Sequence, residues 1–252
     1  MNYIKRLYEL TKIFLTGGEG FIGRNLAKLY KDVYDFTLCD NDSDEWSDAT
    51  DLSEYDFVIH LGALAGVRRS HEIPEEYWKK NVEGSRKVFK ACDKFERTVP
   101  VIYASSSSIY EWWLSPYATT KKAVEAIAPR ISLGLRFHTV YGDDSRKDML
   151  YDKLVNRDAS LSYLTEHTRD YTHVEDVCSA IQICMENFTK LKWQKAIDVG
   201  NGTPVSVQQV ADKVWPDNNL PIKQVTGERE HTCADPSILK QYGWEPKHSI
   251  LL

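Results

Sequence analysis

The run Thr16-Gly17-Gly18-Glu19-Gly20-Phe21-Ile22-Gly23 constrains this chain more than any other stretch, because it stands between two segments of different periodicity. Before it, Lys12-Ile13-Phe14-Leu15 is a short apolar run suited to a buried strand. After it, Ile22, Leu26, Leu29 and Tyr30 recur at helical spacing up to Lys31. The order is strand, tight turn, helix. Read from Gly18 the run satisfies G-x-G-x-x-G, and from Gly17 it equally satisfies G-x-x-G-x-x-G. In both readings missing side chains let the backbone approach a pyrophosphate, whose charge rests on amides at the helix N-terminus. A second strand, Asp35 to Cys39, ends at Asp40, about twenty residues beyond the middle glycine, where a carboxylate can accept hydrogen bonds from a ribose diol. A dinucleotide site built on Gly17, Gly20, Phe21, Ile22, Gly23 and Asp40 follows, and the acid favours NAD over NADP.

Strand and helix patterns go on alternating. Phe57 to Leu61, Val99 to Ala104, Leu133 to Phe137 and Ala196 to Val199 read as strands. Helices are predicted over Glu75 to Phe95, from Tyr117 to about Ala128, from the Tyr171-Thr172-His173 strand to about 187, and from Val205 to Trp215. This alternation predicts an α/β fold with a parallel sheet covered on both faces and ligands at the strand ends. At 252 residues the chain can form one large domain or a core plus a small lobe.

Composition narrows the partners. A net charge of −5 without a basic block argues against nucleic acid. No apolar run reaches membrane-spanning length and the N-terminus lacks a signal-peptide pattern, so a soluble, cytoplasmic protein is expected. The five cysteines contain no C-x-x-C and the seven histidines no ligand pattern, so neither a metal nor a disulfide framework is expected.

Tyr117 and Lys121 stand four residues apart, on one face of a helix. There the ammonium can lie close to the phenol and favour its ionised form, making the phenol a usable base. Such a pair is common on solvated helices; downstream of the glycine turn it suggests a redox enzyme.

These segments together resemble the extended short-chain dehydrogenase/reductase superfamily, in its nucleotide-sugar epimerase/dehydratase branch, from about Lys12 to Lys247. The resemblance is carried by Thr16 to Gly23, by His60-Leu61-Gly62-Ala63 with Gly66-Val67-Arg68-Arg69-Ser70, and by Asn81-Val82-Glu83-Gly84. Tyr103 to Tyr110, Tyr117 to Lys121, Leu135 to Gly142, Arg169 to Val177, and Gly227-Glu228-Arg229 leading to Tyr242 through Lys247 complete it. Within the branch, Gly66 to Ser70 and Leu135 to Gly142 followed by Arg146-Lys147-Asp148-Met149 are most similar to UDP-glucuronate 4-epimerases.

The resemblance implies a Rossmann-type doubly wound parallel sheet with a small C-terminal substrate-binding lobe. Residues 1–145, with about 168–200 returning to them, would form the NAD domain; 146–167 and 201–252 would form the lobe. It implies Ser106, Tyr117 and Lys121 as catalytic residues, with Lys121 also on the nicotinamide ribose. Asn41, Asp51, Leu52, Leu61, Gly62 and Ala63 would join the cofactor site, and Asn81 would stand behind the catalytic pair or serve packing. Arg169 and Arg229 would grip a nucleotide diphosphate, a role suited to a planar, permanently charged fork, while Ser106, Ser107, Thr139 and Arg146 would contact the sugar of a UDP-sugar substrate.

The chemistry implied is proton removal from the sugar 4-hydroxyl by Tyr117, a transient 4-keto sugar, and inversion at C4. Dehydratase relatives keep Asp-Glu directly after the catalytic Ser/Thr; here those places hold Ser107 and Ser108, which disfavours dehydration. Net oxidation or reduction of a nucleotide sugar is a second reading, and a binding protein that has lost turnover a third. The chain departs from the family in three places. Only the acidic, loop-like Asn41 to Asp56 joins Asp40 to the next strand, Glu111-Trp112-Trp113-Leu114 replaces a longer loop, and the helix after Tyr117 ends early at Pro129. The last weakens the homodimer that the resemblance implies.

Overall fold

The structure, a computed structural model, describes residues 10–40, 51–93 and 98–252. Strand β1 (Thr11–Thr16) leads through the glycine turn to helix α1 (Phe21–Tyr30) and strand β2 (Tyr34–Cys39). After β3 (Phe57–His60) come α2 (Val67–Glu72) and a helical run of α3 (Pro74–Tyr77), a π-helical stretch (Trp78–Glu83) and α4 (Gly84–Cys92). β4 (Val101–Ser106) passes through a 3-10 segment (Ser107–Leu114) into α5 (Pro116–Ile127), then β5 (Ser132–Phe137) and β6 (Thr139–Tyr141). Next are α6 (Leu150–Val155), β7 (Leu164–Thr165), β8 (Thr168–Arg169), β9 (Tyr171–His173), α7 (Val174–Glu186) and α8 (Phe188–Leu191). β10 (Ala196–Val199), β11 (Val205–Ser206), α9 (Val207–Val214), β12 (Ile222–Lys223) and α10 (Ser237–Gln241) close the order.

Six strands form the main sheet in the order β10-β5-β4-β3-β1-β2, and all its pairings are parallel. The apolar runs explain why. Strands covered on both faces have no solvent side to alternate with, and Ile13, Leu15, Val58, Ile59, Val101 and Ile102 are all fully buried. The pleat still sorts them. Ile13, Leu15, Ile59 and Ile102 pack with Leu26 of α1 and with Val177 and Ile181 of α7. Val58 and Val101 pack on the opposite face with Val88 and Phe89 of α4 and Val124 of α5. A third cluster gathers Tyr141, Leu154, Leu164, Tyr171, Val207, Val210 and Ile250, whereas Leu239 and Trp244 from the C-terminal stretch join the first.

The helix expected over Glu75 to Phe95 starts instead at Pro74, a residue whose missing amide suits a first turn, and α4 ends at Cys92. Its middle widens into the π-helical stretch that carries Asn81. Among the described residues β2 is the last strand on its side of the sheet. No helix among them is long and apolar enough to cross a membrane.

A buried histidine joins the sheet to its covering layer. His60, at the end of β3, binds the Thr16 hydroxyl through Nδ1 at 2.6 Å and the Ser85 hydroxyl of α4 through Nε2 at 2.9 Å. Burial, with the Lys121 ammonium nearby, pushes its pKa down to about 3. Between that value and the ordinary 6.5 the unfolded chain binds a proton that the folded one refuses, so stability is lost as pH falls through this window. Urea unfolding of wild type and His60→Gln at about pH 7 and about pH 4.5 should show the wild type losing about 2 kcal/mol more than the variant. Parallel losses in the two proteins would remove His60 as the cause.

Candidate active site

A cavity of about 470 Å³ opens at the carboxyl ends of β1, β2 and β3, lined by Thr16, Gly17, Gly20, Asp40, Leu61, Gly62 and Ala63 among others. The turn that shapes it needs glycine. Gly17 has φ of +69°, and a Cβ there would stand 2.7 Å from the Gly62 amide nitrogen; a Cβ on Gly23 would run into the Gly17 carbonyl oxygen. Helix α1 starts at Gly20 without a side-chain cap, which leaves its first amides for an anion. Asp40 Oδ2 accepts the Glu19 amide at 2.8 Å, so its carboxylate is held at the rim of the turn. These features fit a dinucleotide: backbone amides for a pyrophosphate and a carboxylate at the end of the second strand.

The remaining expected cofactor residues are placed differently. Phe21 and Ile22 open α1 and pack against the first core cluster, so they offer backbone rather than side chain. Leu52 is buried in the second core cluster, Asp51 is exposed with Oδ1 accepting the Ser53 amide, and neither lines the cavity. Asn41 lies outside the described residues.

The catalytic candidates meet where β4 gives way to α5. Ser115 caps α5 by accepting the Ala118 amide at 3.2 Å, and Pro116 opens it, so Tyr117 stands in the first turn. Burial raises the Tyr117 pKa, and two groups oppose it: a hydrogen bond with the Ser106 hydroxyl and the positive charge of Arg146. Lys121 lies one turn further on, buried, with Nζ donating to the Ala104 carbonyl at 2.9 Å and its pKa drawn down to about 8 by burial. Lys121 is thus held by the strand, and Arg146 adds a positive charge that favours the ionised phenol. Asn81 sits behind the pair, fully buried. Its Nδ2 donates to the Leu64 carbonyl and the Thr120 hydroxyl, both at 3.0 Å, and its Oδ1 accepts the Leu64 amide at 2.7 Å, tying the loop after β3 to α5.

A second cavity, about 180 Å³, is lined by Thr139 and Arg169 together with Arg68, Tyr163, His167 and Glu228. Glu228 lies between two cations: Arg68 Nε donates to Oε1 at 2.9 Å and Arg169 Nη2 to Oε2 at 3.4 Å. Arg169 also donates to His167 Nδ1 at 2.7 Å and to the carbonyls of Thr168 and Glu230, both at 3.0 Å. Arg146 and Arg229 do not line this cavity. Arg146 forks onto Asp148 at 3.0 and 3.1 Å, on the Tyr117 side. Arg229 donates to Glu111 Oε1 at 3.1 Å and to the Ser107 carbonyl at 3.0 Å, and covers the Tyr110 ring at 5.4 Å. Sequence reasoning gave no role to Arg68, Tyr163, His167 or Glu228. The only signals were Arg68 in the Gly66 to Ser70 run and Glu228 beside Arg229, and neither shows that the two side chains meet.

Comparison with known proteins identifies the family. An uncharacterised protein of Methanocaldococcus jannaschii is 28% identical, over 94% of this chain and 92% of the relative. The UDP-glucuronate 4-epimerase 4 of Arabidopsis thaliana is 30% identical over 77% of this chain and 55% of the plant protein. Among solved structures, a UDP-glucuronic acid 4-epimerase from Bacillus cereus, in complex with UDP-glucuronic acid and NAD, superposes with a TM-score of 0.82 at 24% identity, over 95% of both chains. The model of the NAD dependent epimerase/dehydratase family matches residues 13–200, and the chain belongs to that family of NAD-using enzymes.

Proposed function

We propose that this enzyme inverts C4 of a UDP-hexose or UDP-uronate through a transient 4-keto sugar. The reading rests on Ser106 at the end of β4 and Tyr117 in the first turn of α5, where the serine favours the ionised phenol, with serines rather than carboxylates at 107 and 108. Bound NAD would supply the acceptor and donor of hydride at C4 together with a positively charged ring. The chain's own groups do the rest. Tyr117 takes the proton of the 4-hydroxyl and returns it, and Ser106 holds the reacting oxygen by hydrogen bonding. Ionisation of the phenol is favoured by Ser106 and Arg146 against the opposing effect of burial. Lys121, anchored on the Ala104 carbonyl, holds the ribose next to the phenol.

The second cavity supports a nucleotide diphosphate end to the substrate. Arg169 is the cation for it, its fork already oriented by the Thr168 and Glu230 carbonyls. Thr139 lines the same cavity on the sugar side, and Arg146, exposed beside Tyr117, is the group for a sugar carboxylate. A uronate therefore suits the site better than a neutral hexose. The chain lacks the carboxylates that would expel water from neighbouring carbons, so inversion rather than dehydration is the favoured outcome.

Tyr117→Phe should bind NAD within about twofold of wild type and lose on the order of 10²–10⁴ in C4 inversion of UDP-glucuronate, followed by NMR. If wild type inverts no UDP-hexose or UDP-uronate, the epimerase reading is lost. Ser106→Ala removes a bond that lowers the Tyr117 pKa, so the phenol ionises at higher pH. The rising limb of kcat/KM against pH should move to higher pH, and Ser106→Thr should restore it.

A further inference from the structure

At the start of α7, beside the wall of the second cavity, the fold assembles a cluster that sequence spacing hides. His173, Glu175 and His248 each present one ligand-type atom, and these atoms all lie within 4.8 Å of one another. The two imidazoles stack with centroids 4.1 Å apart and planes inclined by 30°. His248 Nε2 stands 3.6 Å from Glu175 Oε2, too far for a hydrogen bond. Two ligands of one tetrahedral zinc at about 2.0–2.1 Å each are roughly 3.3 Å apart, so small rotations close this pair around an ion.

The surroundings make the same case independently. His248 Nδ1 is 3.1 Å from Asp176 Oδ1, and that carboxylate is itself fixed by the Lys247 and His248 amides at 2.9 and 3.0 Å. A carboxylate on one ring nitrogen sets the tautomer that leaves Nε2 with a free lone pair toward Glu175, the arrangement that orients metal-binding histidines. Glu175 and Asp176 also place two carboxylates beside the His248 ring, a charge that a divalent cation would offset.

We propose that His173, Glu175 and His248 form a binding site for a divalent transition metal of the zinc class, completed by water and supported by Asp176. The ion would pin the segment after Trp244 to the end of β9. It would thereby stiffen the wall of the second cavity, since Tyr141 and Tyr171 line that cavity and the Tyr141 ring lies 5.2 Å from His173. Its role is structural, because none of the three residues lines either cavity.

The test uses untagged full-length protein, stripped with a chelator and titrated with zinc chloride by calorimetry and thermal unfolding, with cobalt(II) as an optical probe. The expected result is one saturable equivalent, a rise of several degrees in the unfolding midpoint, and the visible bands of tetrahedral cobalt. Affinity should fall at least tenfold in His248→Ala and in Glu175→Gln and stay unchanged in His71→Ala. Absence of saturable binding, or equal affinity in wild type and Glu175→Gln, overturns the site. Glu175 is exposed, so that variant decides the matter even if His248→Ala destabilises the C-terminal segment.

Discussion

The close approach of two backbones sets the geometry of this molecule. At the carboxyl end of β1, Gly17 lies so near Gly62 that no side chain fits between them. Three strands are fastened there: the Gly17 amide donates to the Cys39 carbonyl at 2.9 Å, the Leu61 amide to the Thr16 carbonyl at 3.0 Å, and the Gly62 amide to the Thr16 hydroxyl at 3.2 Å. The first of these reaches β2 and the other two reach the loop after β3. The turn is therefore drawn flat against its neighbour, and the larger cavity opens in front of it. Each hydrogen bond is worth roughly 1 kcal/mol net, yet together they fix a shape that a single Cβ would destroy.

What was legible in the sequence is what depends on near neighbours in the chain. The glycine turn, its flanking strand and helix, and the shared helix of Tyr117 and Lys121 are all set within a dozen or so residues, so pattern and spacing predicted them. The doubly wound parallel sheet followed from the alternation. Side-chain partnerships across the fold did not. Spacing puts Lys121 on the helix face of Tyr117, but it does not show the partner that the strand beneath α5 supplies, the Ala104 carbonyl that accepts the ammonium at 2.9 Å. Arg68 and Glu228 meet across a separation of 160 residues, and nothing in either local motif marks them as a pair. Leu52 reads as a binding position by resemblance, and its side chain is buried in one cluster with Val58 and Val88, a packing that its local motif does not show.

Asn81 illustrates a position between these two cases. Its motif was readable, but its purpose depends on a local widening of the helix. An ordinary helix bonds each amide four residues back, while the π-helical stretch from Trp78 to Glu83 inserts one residue into that ladder. The change turns the amide side chain toward Leu64 and Thr120 and buries it completely. A buried amide without partners would be costly, and here its oxygen and nitrogen are both satisfied. The result is a rigid link from the loop bordering the larger cavity to the residue preceding Lys121.

The serine turn at the end of β4 is braced by charged side chains from its neighbours. Arg136 of β5 forks onto Glu125 of α5 at 2.9 and 3.0 Å, and the Ser105 hydroxyl donates to the same carboxylate at 2.5 Å. Arg136 continues to the Tyr110 hydroxyl at 3.2 Å, and that hydroxyl donates to Asp198 of β10 at 2.6 Å. The chain of contacts joins α5, the end of β4, the 3-10 segment and β10, so Ser106 and Tyr117 sit on two elements braced by one pair. Such a largely buried pair contributes little net stability when intact, because desolvation offsets attraction, whereas removing one partner strands the other at a cost of about 3–5 kcal/mol. Its value lies in position. Ser106 and Tyr117 keep their relation only if the strand end and the helix start keep their separation, and a bidentate fork resists both sliding and rotation where a single contact would allow either.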